Sequence, residues 1–283
     1  MSRAISSSAD SRSPLRRGWV MSALTLELRK ILSYRADFWL LFIGGLVAQF
    51  GVAWFLWASI FQQQQLERIG DFSFPALMLY YLAAPLMLRI VQGYEMGSVS
   101  GEIYEGALNR YLIYPVSYFR FKLTTSAAHS LVFVTQFVLI MLTCILFVGL
   151  PEPFHISATS VLQCICVALC AAYLHFVMAS AIELTAFWAD NVWSLVVMMR
   201  FATGLLGGAM IPLSLFPEWA QGTMFLLPFA YFVAFPLRCL LGLETVASWM
   251  NGMTVILFWS VIMTMVYAYV WGRGRYRYTG VGI

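Results

Sequence analysis

Long, almost uncharged apolar runs, repeated along the whole chain, constrain this sequence more than any other feature. Each is close to the ~20 residues that let an α-helix cross a ~30 Å hydrocarbon core. Only 11% of the 283 residues are charged and 61% are hydrophobic, against roughly a quarter charged in an ordinary soluble domain. A single soluble domain of this length cannot hide so much apolar surface. Lipid supplies no partners for backbone polar groups, so the runs must be helices or a closed barrel. Strict alternation of apolar and polar residues is absent, which selects helices.

The sequence therefore predicts an all-α, polytopic membrane protein with six transmembrane helices, at about 38–60, 74–92, 123–149, 158–182, 191–212 and 252–271. Residues 1–18 are polar, rich in Ser and Arg, and read as a disordered cytoplasmic tail; residues 19–283 read as one transmembrane domain. Arg16-Arg17 faintly resembles a twin-arginine signal, but Glu27, Arg29 and Lys30 interrupt any apolar region behind it. In residues 21–35, Met21, Leu24, Leu28, Ile31 and Leu32 share a helical face, with Glu27, Arg29 and Lys30 on another. That pattern predicts an amphipathic helix lying on the membrane surface.

The run 223–243 is long enough to cross but contains Pro228, Pro236 and Arg238. Basic residues arbitrate. With six spans and both ends inside, nearly all Lys and Arg, from Arg3 to the Arg273, Arg275 and Arg277 tail, fall on the inner side. A seventh span would throw that tail outside, against the positive-inside rule. The outer region 213–250 is thus predicted to hold a proline-broken re-entrant or interfacial helical pair, and 272–283 a basic cytoplasmic tail.

Several chemistries are excluded by their motifs. A nucleotide-binding loop of the Walker A type needs Gly-Lys followed by Ser or Thr. The lysines here, Lys30 and Lys122, sit in Arg-Lys-Ile and Phe-Lys-Leu. His129, His155 and His175 are scattered over different segments, and Cys144, Cys164, Cys166, Cys170 and Cys239 lie in or beside apolar runs, as small apolar side chains do. No metal centre and no catalytic set is predicted, and the small net charge of +4 gives no reason to expect nucleic acid.

The most informative stretch is the polar interruption at 93–122. Tyr104, Leu108, Tyr111 and Leu112 can line one helical face, with Glu102, Glu105 and Asn109 on others, and Pro115 ends the helix. Such a helix can dock a soluble partner or simply be a solvated loop. Within it, Glu105-Gly106-Ala107-Leu108, Tyr111-Leu112 and Pro115-Val116-Ser117 resemble a signature of the type-2 ABC exporter permeases. Ala107 stands where Thr is commoner in that family, and Arg110 where Glu is. The region 207–242, with Pro212, Phe216-Pro217, Trp219, Leu227-Pro228 and Pro236, resembles the family's outer region. The likeness extends over nearly the whole chain from about residue 21.

The resemblance implies a permease subunit of an ATP-driven exporter in a bacterial inner membrane, with both termini cytoplasmic. It implies a second permease, identical or related, and a separate ABC ATPase subunit that carries the ATP and Mg; this chain would hold no cofactor and catalyse nothing by itself. Candidate ATPase-coupling residues are Glu102, Tyr104, Glu105, Gly106, Leu108 and Pro115. Pro212, Pro217, Pro228 and Pro236 would shape an outer gate.

Arg200 lies inside the fifth apolar run, where a charge costs at least ~2.5–3.5 kcal/mol unless it faces protein or water. It lines the translocation path or dimer interface, or else snorkels inward towards Glu183 or Asp190. Gly204, Gly207 and Gly208 on the same run allow close helix approach, within the chain or, with Arg200, at the translocation path or dimer interface. The polar Gln49, Gln136, Gln163, His129 and His175 are expected to bond mostly between helices. A self-contained secondary transporter or channel is the alternative. It would favour matched broken helices in both halves and acidic residues within spans, and neither is evident.

Overall fold

The computed structural model describes residues 15–33, 35–70, 72–93, 96–113 and 116–278. Most of the expected tail, residues 1–14, lies outside these, but Leu15 already begins a helix. Helix α1 (Leu15–Ser33) packs against α6, introduced below. Leu24, Leu28 and Ile31 are half-buried in keeping with the expected stripe, whereas Met21 faces outward.

Helix α2 (Arg35–Gln64) has most of its described side chains exposed, with Phe42, Ala53 and Phe61 buried. It meets the rest of the protein through rings: Trp54 and Phe61 against Phe74, and Trp57 against Tyr81. The polar loop that follows is not plain coil. Strands β1 (Arg68–Ile69) and β2 (Phe72–Ser73) pair antiparallel into a small ribbon. Helix α3 (Phe74–Gln92) starts with a proline in its first turn, where no backbone hydrogen bond is lost. It stops at Gly93, whose φ of 65° suits glycine.

The segment expected to hold one helix around Tyr104–Leu112 holds two: α4 (Ser98–Tyr104) and α5 (Leu108–Ile113). Gly106, at φ 70°, sits in the turn that separates them. Helix α6 (Tyr118–Val148) then begins earlier than the apolar run predicts, because Tyr118, Phe119 and Phe121 add packing surface before the uncharged stretch. Helix α7 (Ala158–Glu183) opens with a capping box between Ser157 and Ser160. Helices α3 and α7 are buried over most of their length and form the centre of the bundle.

The fifth run departs most from expectation. Helix α8 (Trp193–Leu206) has only 14 residues, about 21 Å at ~1.5 Å per residue, short of a ~30 Å core. Gly208, at φ 86°, lies just beyond its end. The chain continues non-helically to Leu213, and protein groups take its backbone. Tyr80 donates to the Gly208 carbonyl at 2.7 Å and Tyr81 to that of Met210 at 3.1 Å. The Ala234 amide donates to Gly207 O at 2.9 Å. Irregular backbone at membrane depth is tolerated only when it is served in this way.

Helices α9 (Glu218–Leu226) and α10 (Ala234–Leu240) form the expected broken pair, and the apolar stretches 218–226 and 229–240 meet at 82°. The pair dips deep. Leu226 O accepts from the indole of Trp259 at 3.0 Å on α11 (Val246–Gly274), about 20 Å along that helix. Phe232 meets His175 well inside α7. The turn between α9 and α10 therefore sits far from both loop ends, as in a re-entrant hairpin.

Candidate functional site

The bundle has two unlike ends. One gathers the 96–113 segment, the turn after α7 and the foot of α11. There Tyr118 stacks on Trp271, their centroids 5.3 Å apart, and Phe187 closes on Gly274. Arg110, Arg120, Lys122, Arg273, Arg275 and Arg277 also lie at this end, which is the basic one. The other end gathers the ribbon, the 150–157 loop and the mouth of the re-entrant pair. Here the His155 amide donates to Leu241 O at 3.0 Å.

At the basic end, four side chains tie the 96–113 segment to different helices. Glu102 of α4 accepts from Lys122 at 2.8 Å, from the Tyr118 hydroxyl at 2.7 Å and from the Tyr111 hydroxyl at 3.0 Å. This joins α4, α5 and the start of α6. Glu183, the last residue of α7 and fully buried, accepts the amides of Val99 at 2.7 Å and Ser100 at 3.2 Å. Tyr104 donates to Ala189 O at 3.0 Å, before α8. Arg200 of α8 donates to Met96 O at 2.9 Å, with its guanidinium 6.0 Å from the Trp193 ring centroid.

These bonds have a physical reason. The first amides of a helix have no partner within it, and Glu183 supplies one to the start of α4. A buried carboxylate is costly unless it is well hydrogen-bonded, and Glu102 gathers three donors. Burial, and then the charge of Glu102, push the Tyr111 phenol up to about 12. It therefore stays a protonated donor at neutral pH. Burial also raises the Tyr104 phenol.

Residues singled out from the sequence thus separate. Glu102, Tyr104 and Leu108 point into the protein: Glu102 and Tyr104 are bonded, and Leu108 is fully buried. Glu105 is exposed at the turn beside Gly106, next to exposed Asn109 and Arg110. Pro115 lies outside the described residues. Arg200 takes neither Glu183 nor Asp190 as hydrogen-bond partner; its acceptor is a backbone carbonyl.

Gly204, Gly207 and Gly208 are buried within the protomer. A Cβ on Gly208 would come 2.9 Å from the Tyr80 hydroxyl, so the site is filled from inside. Pro212 is buried ahead of the 3₁₀ turn Leu213–Leu215, and Pro217 is exposed at the start of α9. Pro228 is buried at the bend of the pair, and Pro236 is buried in the first turn of α10. The deep polar residues do not behave as expected. His129 bonds within its own helix, and Gln136 and His175 have no hydrogen-bond partner among the described residues.

Sequence reasoning missed the role of Glu183 and of the hydroxyls of Tyr80, Tyr81, Tyr111 and Tyr118. A carboxylate closing an apolar run was the one available signal for Glu183. Nothing in the spacing of the tyrosines reveals which carbonyl or carboxylate each one reaches.

A family model described as an ABC-2 family transporter protein matches residues 47–282. The chain belongs to that family. The match runs from within α2 through the basic tail, so it takes in both the 96–113 segment and the re-entrant pair. No curated protein and no solved structure matches the chain. As an ABC-2 transporter protein, it is a multi-pass membrane permease subunit of a kind that works with an ABC ATPase.

Proposed function

We propose that this permease is half of the translocation path of an ATP-driven exporter in a bacterial inner membrane. A second permease, identical or related, completes the path. A separate ATPase subunit, which carries the ATP and Mg, docks at the basic end, and both termini of this chain are cytoplasmic. One observation carries the reading: the 96–113 segment is bonded at once to α6, α7, the turn before α8 and α8 itself. A push on so short a piece of chain is shared among four places in the bundle. Solvated loops have no need of such bonds.

Within this reading the candidate residues take two roles. Glu105, Gly106, Asn109 and Arg110 offer the outward surface for the ATPase. Glu102, Tyr104 and Glu183 pass its motion to the spans. The re-entrant pair, with Pro228 at its bend, closes the far end of the path.

The test is a gentle detergent pull-down of the tagged permease from its own cell, with mass spectrometry and an ATPase assay. The expected result is a stoichiometric ATP-binding-cassette subunit that is lost in Glu105→Arg. Glu102→Gln should keep the ATPase bound while transport per ATP falls. A well-folded permease that recovers no ATPase would overturn the reading.

A further inference from the structure

We propose that Arg89 binds the phosphate of an anionic membrane lipid, which enters from the side of the bundle between α2 and α6. The inference does not depend on the exporter reading.

Arg89 lies on α3, about 22 Å from Phe74 along the helix. In a ~30 Å core that places it in the basic-end leaflet, within a side-chain length of the headgroups. Two rings hold its guanidinium: the centroid of Phe42 on α2 is 4.8 Å away and that of Phe133 on α6 is 5.8 Å away. Phe42 is itself buried, so this grip is part of the packing.

Rings attract the charge but leave the in-plane N–H groups without acceptors. A guanidinium carries five such donors in a fork that matches the oxygens of a phosphate. Two other arginines inside the apolar runs find acceptors inside the protein. Arg200 uses Met96 O, and Arg238 uses Glu244. Among the described residues, no carboxylate, carbonyl or hydroxyl takes a hydrogen bond from Arg89, and its contacts are the two rings.

Arg89 is only half-buried, so its donors are reachable from the membrane. The exposed Arg273, Arg275 and Arg277 at the foot of α11 keep this end of the bundle positive. A positive rim concentrates anionic headgroups. A phosphate that carries its own ammonium brings no net charge to that field, which is why the site favours anionic lipid over zwitterionic. Depth favours a lipid over free phosphate.

The experiment is native mass spectrometry of the full-length permease purified in mild detergent with an equal mixture of phosphatidylglycerol and phosphatidylcholine. The wild type should retain phosphatidylglycerol selectively. Arg89→Gln should lower that retention roughly tenfold, as loss of charge-assisted hydrogen bonds implies, and Phe42→Leu should give a smaller loss. Arg120→Gln, which removes an exposed charge on α6, should change nothing. Should Arg89→Gln not fold, Arg89→Lys supplies the test, because it keeps the charge while losing the fork, and retention should still fall.

Equal retention by wild type and Arg89→Lys, or by wild type and Arg89→Gln, would overturn the proposal. So would an equal loss in Arg120→Gln, which would mean general surface charge. Displacement of the lipid by millimolar inorganic phosphate would replace the lipid site with an open anion site, and would equally overturn it.

Discussion

At the basic end, a short piece of chain, broken once at Gly106, is held by directed polar bonds. Glu102, Glu183, Tyr104 and Arg200 each reach a different element. At the opposite end, the re-entrant pair is held by bonds to its backbone, from Trp259 and His155 and to Gly207, and by close fit. Gly252 of α11 lies so close to the Phe235 ring that a Cβ would come 2.1 Å from it, and Phe232 meets His175 edge-on. Directed bonds can be stretched one at a time and can transmit a pull. Close packing resists deformation until it gives way as a whole. The difference suits the proposed division of labour, with transmission at one end and closure at the other.

Substitutions can break or sharpen that contrast. Glu183→Ala should have the largest effect. It strands the amides of Val99 and Ser100 in a buried place, at a cost on the order of 3 kcal/mol. Thermal unfolding in nanodiscs should fall accordingly, with early proteolysis confined to the 96–113 segment. Early cleavage in the 213–245 region instead would show that the two ends are not separate.

Gly252→Val should come next. Overpacking against Phe235 costs about 2 kcal/mol, and protease access should rise around α9 and α10 while the basic end keeps its protection. Glu102→Gln should cost about 1–2 kcal/mol, because Lys122, mostly buried, keeps only a neutral acceptor. Its larger consequence is functional: ATPase activity should persist while transport per ATP falls.

Tyr111→Phe should have the smallest effect, about 1 kcal/mol, and a pH signature. The Tyr111 phenol is held above its ordinary value of 10.0, at about 12. Its contribution is therefore complete below pH 10 and lost as pH rises towards 12. Alkaline cleavage of the 96–113 segment should rise less steeply in Tyr111→Phe than in the wild type.

Much of the fold was legible because membrane depth imposes its length on the sequence. Runs of about twenty apolar residues have few other uses, and Pro228 marked the bend of the broken pair. Glycines were legible as breaks but not as contacts. Gly208 lies just past the early end of the fifth helix at φ 86°, and Tyr80, far away in sequence, fills the place of its side chain. The site was legible as a segment and not as a mechanism. Periodicity put Tyr104 and Tyr111 on one helical face, whereas Gly106 divides that helix in two. Glu102 read as an outward contact because the sequence around it is polar. Its donors, Tyr118 and Lys122, come from the next helix, and pairing across elements leaves no trace in local spacing.

The central claim is that motion applied to the 96–113 segment reaches the far end of the bundle through these bonds. The most direct test is pulsed spin-label distance measurement on the ATPase complex, with and without nucleotide. One set of labels goes on residue 109 of the basic end, and the other on residue 219, where Trp219 is 79% exposed. In the wild type, nucleotide should shift the distances at both positions between the paired permeases. In Glu102→Gln, the shift at residue 109 should persist while the shift at residue 219 largely disappears. An undiminished shift at residue 219 in Glu102→Gln would contradict the account.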